Sequence, residues 1–163
     1  MYRDLQTGKL VFTKEEFRID TLIEEIIDVL QDSAVDKKII FTKKLPLIVL
    51  ADRFRIYQVI TNLITNAIKF SNQGERIIVS LQKQDDKAVV SIQDFGIGVA
   101  KEQQKKIFER LYQVNDEKVK TFPGFGMGLY ISKEIIKKNK GSIWVESELG
   151  KGATFYFSLP IQK

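Results

Sequence analysis

Neither cysteine nor histidine occurs among the 163 residues. Without cysteine there are no disulfides and no thiolate metal sites, and the chain does not report its redox compartment. Without histidine, the usual zinc clusters, serine-type triads and histidine general bases are all excluded. Proline is scarce, at three residues, and no low-complexity tract interrupts the chain. No apolar run approaches the roughly 20 residues that a membrane-spanning helix requires, and no signal peptide opens the chain. The expectation is a soluble, cytoplasmic segment that makes no membrane contact of its own, in a longer parent protein whose anchoring elsewhere stays open. The net charge is +5, with lysines scattered among carboxylates and no basic block interleaved with aromatics. That pattern gives no support to nucleic-acid binding. A modest positive excess equally suits a polyanionic ligand such as a nucleotide.

Hydrophobic residues make up 44% of the chain, enough for one well-buried core, so a single globular domain is expected. Its most informative stretch runs from Asp52 to Phe70. Helical spacing gathers Ile56, Ile60, Leu63, Ile64, Ala67 and Ile68 on one broad apolar face. Arg55, Gln58, Asn62, Asn66 and Lys69 form a narrow polar stripe opposite, with Asp52 as N-cap. An ordinary amphipathic helix accounts for most such patterns. Asparagine argues for more, because solvated faces favour Glu, Lys or Gln, and each mid-helix Asn costs on the order of half a kcal/mol relative to Ala. Two asparagines one turn apart, with a lysine three residues on, suit a wall facing a ligand. An amide oxygen can ligate Mg²⁺, and an ammonium can hold a phosphate.

Upstream, residues 1–9 read as the end of a helix broken at Gly8. Leu22, Ile23, Ile26, Ile27 and Leu30 predict a helix capped by Asp20 and ending near Ser33. Lys38 to Thr42 and Leu47 to Leu50 suit two brief strands, and Arg76 to Gln84 with Ala88 to Asp94 alternate as a hairpin turning at Asp85-Asp86. The phase of the second hairpin strand puts Asp94 on the side of Val90 and Ile92, which is expected to be buried and where a carboxylate needs a donor. The alternative is that the strand ends one residue earlier and Asp94 opens a turn. Gly96-Ile97-Gly98 favours the buried reading, since it lets backbone approach a ligand beside that carboxylate. Lys101 to Leu111 carries a short helical pattern with Ile107, Phe108 and Leu111 apolar. Tyr112 to Pro123 is charged and aperiodic, and reads as a mobile loop. Gly124-Phe125-Gly126-Met127-Gly128 closes that loop ahead of a helix running to about Lys140. Such an approach to a helix N-terminus suits phosphate, but it matches neither the dinucleotide fingerprint nor the P-loop. A last hairpin, Ser142 to Ser147 and Ala153 to Leu159, joins across Gly150-Lys151-Gly152. In it Ala153, Phe155, Phe157 and Leu159 share one face and Thr154, Tyr156 and Ser158 the other, while Trp144 reads as packing.

In order the chain offers Asn62-x-x-x-Asn66-x-x-Lys69, Asp94-x-Gly96-x-Gly98, a short helix centred on Phe108, Gly124-x-Gly126-x-Gly128-Leu129, and Gly150-x-Gly152-Ala153-Thr154. That series resembles the ATP-binding catalytic domain of sensor histidine kinases, within the superfamily that includes DNA gyrase, the ninety-kilodalton heat-shock chaperones and MutL. The resemblance runs from about Thr13 to Pro160. Residues 4–10 also look like the family's passage out of the second dimerisation helix, which makes 1–12 a lead-in and 13–163 the catalytic domain. Glu109 to Asn115 is similarly spaced. The implied fold is the Bergerat type: α+β, a two-layer α/β sandwich whose mixed, mainly antiparallel sheet is covered on one face by helices. The order of strands and helices fits that independently.

The resemblance implies ATP and Mg²⁺ as cofactors. Asn66 is implied to ligate Mg²⁺ bridging the phosphates, with Asn62 on the same wall and Lys69 neutralising phosphate charge. Asp94 would accept a hydrogen bond from the adenine amine, and Gly96 and Gly98 would let the base approach. Phe70 stands where an aromatic packs near adenine in some members, with an ordinary core role as the alternative. Arg110 would contact phosphate at the start of a lid whose far hinge is Gly124, Gly126 and Gly128, followed by Leu129. Thr154 would sit behind Asp94 and orient it. The chain departs from the family pattern at Phe95, where a small polar residue is common, at the bulky Phe125 and Met127, and at Gln113, where many members carry arginine.

The implied function is transfer of the γ-phosphoryl of Mg·ATP to a histidine, with Asn66 and Lys69 as catalytic residues. Because the chain holds no histidine, the acceptor is expected on a separate upstream helical domain. The parent is expected to be a homodimer that passes the phosphoryl to a response regulator. Alternatives are a nucleotide-sensing module without productive transfer, a serine kinase of the anti-sigma-factor type, and an interaction domain that binds no nucleotide.

Overall fold

The computed structural model describes residues 12–42, 44–71, 75–109 and 125–162. The lead-in over residues 1–11, Arg110, Leu111, the loop Tyr112 to Pro123 and Gly124 lie outside them. Five strands form the main sheet: β2 (Lys38–Thr42), β4 (Arg76–Gln84), β5 (Lys87–Asp94), β6 (Ser142–Ser147) and β7 (Ala153–Pro160), in the order β2-β4-β5-β7-β6. β2 and β4 are parallel and the other pairs antiparallel. Alternation sends Ile77, Val79 and Leu81 of β4, Val90 and Ile92 of β5, and Phe155, Phe157 and Leu159 of β7 into one buried layer. Three helices supply the other side of that layer: α1 (Ile19–Gln31), α2 (Arg53–Phe70) and α3 (Phe125–Lys138). The result is the expected α+β two-layer sandwich. On the uncovered face Ser80, Ser91, Tyr156 and Trp144 stand in register across four strands, with the Trp144 and Tyr156 rings stacked 5.2 Å apart. Among the described residues no helix is long and apolar enough to cross a membrane.

α2 forms where its pattern predicts, from the cap onward. Asp52 Oδ1 accepts the Arg55 N–H at 3.2 Å, a cap of the kind worth about 1 kcal/mol. Its Oδ2 accepts the Thr13 N–H at 2.9 Å, and its own N–H reaches Asn139 Oδ1 at the far end of α3 at 3.2 Å. One carboxylate thus ties the incoming chain to the start of α2.

Three expectations are corrected. Asp20 does not cap α1; Arg18 holds the N-cap position, and the Asp20 carboxylate turns back to accept from Arg18 Nε at 3.1 Å. The reason is a strand absent from the sequence reading, β1 (Glu15–Arg18), which pairs with β3 (Ile48–Ala51) and runs straight into the helix. The Ile19 N–H is then taken by the Leu47 carbonyl at 3.0 Å, starting the first turn early. The segment after Lys101 is not one helix but two single 3₁₀ turns, Lys101–Gln103 and Lys106–Phe108, the second burying Ile107 and Phe108. Finally, α3 begins at Phe125, so Gly126 and Gly128 lie in its first turn and not in a loop ahead of it.

Candidate functional site

Where β5 ends beneath the last turns of α2, a narrow recess opens between sheet and helix. Asn66 and Phe70 line it from α2, Asp94 from β5, and Gly98, Ala153 and Phe155 from the loop after β5 and from β7. Asp94 is buried, as the strand phase requires. Its Oδ1 accepts the N–H groups of Gly96 at 3.0 Å and Ala153 at 3.3 Å, and among the described residues no donor reaches Oδ2. Burial pushes the carboxyl up to about 6, against the pull of the two backbone N–H groups, which favour the ionised form. Facing it, Asn66 is only 4% exposed, and its Nδ2 has no hydrogen-bond partner among the described residues. A buried amide with an uncommitted atom costs on the order of 1–3 kcal/mol unless something else satisfies it. Acceptor and amide therefore both stand ready in one cavity.

The loop Gly96–Val99 forms the floor, and the glycines there answer to protein backbone as much as to any ligand. A Cβ on Gly96 would lie 1.8 Å from the Phe70 carbonyl oxygen, and one on Gly98, whose φ is +74°, 2.4 Å from that of Glu148. The Val99 N–H donates to Ser147 Oγ at 2.7 Å, and that hydroxyl donates to the Gly152 carbonyl at 2.7 Å. Gln104 Nε2 reaches the carbonyls of Val99 and Ser147 at 3.1 and 2.8 Å. Ser147 and Gln104 thus pin the floor to the β6–β7 hairpin, a role that sequence spacing does not announce. Phe108 stacks edge-on against Phe155 at 6.2 Å from below.

The remaining predicted residues fall at different distances from this recess. Asn62, one turn before Asn66, turns toward α3: its Nδ2 donates to Ser132 Oγ at 3.2 Å. A Cβ on Gly128 would sit 2.5 Å from Asn62 Oδ1, so Gly128 is the point where α3 closes on α2. Lys69 is exposed at the end of α2 and lines neither this recess nor the groove between α2 and α3. Leu129 is fully buried in the helix layer. Thr154 pairs with Gln93, on the opposite face of the sheet from Asp94, whose partner is Ala153. The support behind Asp94 comes from the Ala153 N–H, and the alternation of β7 alone would have shown it.

Residues 51–163 match the family model described as "Histidine kinase-, DNA gyrase B-, and HSP90-like ATPase". The chain is 43% identical over 107 residues to the sensor histidine kinase RppB of Synechocystis sp., covering 66% of this chain and 24% of that protein. It is 33% identical over 157 residues to the sensor histidine kinase WalK of Bacillus subtilis, covering 93% of this chain and 26% of WalK. The structure superposes on the catalytic domain of histidine kinase ThkA with a TM-score of 0.79 and 28% identity, covering 91% of this chain and 96% of that one. The chain spans about a quarter of the length of the curated relatives it matches. With the recess, the sandwich and these likenesses in agreement, the chain belongs to the histidine kinase-, DNA gyrase B- and HSP90-like ATPase family, as an ATP-binding catalytic domain of the sensor histidine kinase type.

Proposed function

We propose that this domain transfers the γ-phosphoryl of Mg·ATP to a histidine on a separate domain of its parent kinase, with adenine held at Asp94 and the phosphates running along α2 past Asn66. The observation that carries this reading is the pairing, in one recess, of an acceptor with no donor on Oδ2 and a buried amide with no partner on Nδ2 among the described residues. The free oxygen of an ionised carboxylate accepts one N–H of an exocyclic amine.

Asn66 also fits Mg²⁺. Its amide carries Oδ1, a hard oxygen ligand, at the recess, and among the described residues no cluster of three His, Cys, Asp or Glu side chains competes for the ion. Mg²⁺ is characteristically held by one or two protein oxygens together with substrate phosphates and water. When bound, the cation would supply charge neutralisation for the phosphates, with Asn66 to hold it. Lys69, Arg110 and the backbone N–H groups at the start of α3 supply further positive charge in this reading. Catalysis is then mostly positioning and electrostatics, as phosphoryl transfer demands.

The polarity of the site is testable by binding alone. Asp94→Asn loses both ATP and adenosine, whereas Asn66→Ala keeps adenosine and loses the Mg²⁺-dependent part of ATP affinity. Calorimetric titration of each ligand with and without Mg²⁺ distinguishes the two, and equal losses of adenosine in both variants contradict the assignment.

A further inference from the structure

α2 and α3 run side by side in opposite directions and are tied at two places. Where α2 begins and α3 ends, the Asp52 N–H donates to Asn139 Oδ1 at 3.2 Å, and Asn139 Nδ2 donates to the Ile135 carbonyl at 2.8 Å. Further along both helices, Asn62 Nδ2 donates to Ser132 Oγ at 3.2 Å. Among the described residues this is the one side-chain hydrogen bond between α2 and α3. Beside it the helices part around a groove of about 850 Å³, whose lining includes Asn62 and Ser132. Gln58 Oε1 and Thr61 Oγ1, also in that lining, have no hydrogen-bond partner among the described residues. One turn before Ser132, α3 comes so close that a Cβ on Gly128 would sit 2.5 Å from Asn62 Oδ1. The Asn62 amide is thus held between Gly128 and Ser132, which share one face of α3.

An open groove offers little side-chain packing to fix the front half of α3 against α2. The placing of its first turn therefore depends on the Asn62–Ser132 bond and on the close approach at Gly128. Because the helices are antiparallel, that first turn extends from Asn62 toward Asn66, along the wall where the phosphates run in the reading above. Ser132 is only 2% exposed. At a buried helical position that needs packing alone, alanine serves better than serine, whose hydroxyl competes with the backbone. We propose that Ser132 is a positioning residue for phosphate binding: through Asn62 it sets the first turn of α3 relative to Asn66. The proposal rests on the phosphate path given above. It assigns a role to a serine that no motif in the sequence singles out and that lines the groove, not the adenine recess.

Calorimetric titration of this chain with ATP and Mg²⁺, and separately with adenosine, tests the assignment. Ser132→Ala lowers the affinity for Mg·ATP about fivefold, the worth of one net hydrogen bond, and leaves adenosine binding unchanged. Ser132→Cys, which keeps a side chain of similar size but offers a weaker acceptor, falls between the two. In an Asn62→Ala background Ser132→Ala has no further effect, because the pair acts as one joint. Asn139→Ala breaks the other tie and is the control: it lowers stability in urea denaturation and keeps the parent ratio of ATP to adenosine affinity. The proposal is overturned if Ser132→Ala binds ATP like the parent, if it weakens ATP and adenosine alike, or if its loss adds to that of Asn62→Ala. It is overturned equally if Asn139→Ala shifts the ratio as far as Ser132→Ala does, since any loosening of α3 would then suffice. In all these cases the phosphate path past Asn66 stands. If the unsubstituted chain binds Mg·ATP no more tightly than adenosine, the phosphate path itself fails, and the role of Ser132 fails with it.

Discussion

At the scale of single residues, Asp94 sets function against stability. Its carboxyl is raised from 3.8 to about 6 by burial, so the folded chain holds that proton more tightly than the unfolded one. The contribution to stability is fully present below about pH 4 and lost as the pH rises through about 6, an effect of roughly 3 kcal/mol. Asp94→Asn, which cannot ionise, should therefore unfold at higher urea than the parent at pH 8, by about 1–3 kcal/mol, with the gap closing only below about pH 4. Ligand binding runs the other way, because adenine needs the ionised acceptor. Affinity for adenosine, which has no phosphate to titrate, should fall about tenfold between pH 7 and pH 5 in the parent. Gly96 gives a sharper steric case. A methyl there meets the Phe70 carbonyl, which is backbone and cannot swing aside, so Gly96→Ala should cost about 2 kcal/mol or more in urea denaturation.

Among the elements, α2 is the piece most legible from sequence, because cap, apolar period and polar stripe all lie within one local stretch. The β4–β5 hairpin is legible for the same reason, and its strict alternation placed Asp94 inward. β1 escaped because Glu15, Glu16 and Arg18 leave only Phe17 to mark its face, and its pairing with β3 is made thirty or more residues away. The start of α3 escaped because glycine is a poor helix former, at about 1 kcal/mol worse than Ala, and closeness to Asn62 overrides that preference. Gly128→Ala tests this balance. Helix propensity gains what crowding costs, leaving stability within about 1 kcal/mol, while Asn62 must leave Ser132 and ATP affinity falls. Ser147 was invisible for a different reason: its bond to Val99 spans 48 residues and has no local pattern. Ser147→Ala should weaken adenosine binding by loosening the floor of the recess, and Ser147→Thr should restore it; titration of the two variants side by side decides between a positioning role and a merely structural one.

For the whole molecule, the sheet and helix layers do one thing for function: they bring the end of β5 under the last turns of α2, joining residues 28 positions apart, Asn66 and Asp94, in one recess. The fold class was readable because strand and helix order constrains how layers stack. The division of labour around the recess was readable only in part: the far-face position of Thr154 follows from the alternation of β7, whereas Asn62 turned to α3 and Lys69 to solvent through helix contacts that have no local pattern. The central claim is that this arrangement delivers a phosphoryl group to histidine. The most direct measurement incubates the chain with Mg²⁺, γ-labelled ATP and the parent's histidine-bearing domain, and then asks whether label on that domain is acid-labile and base-stable. The account predicts such label, absent when Asn66→Ala replaces the parent chain. ATP bound tightly by the parent chain, with a folded acceptor left unlabelled, would contradict it.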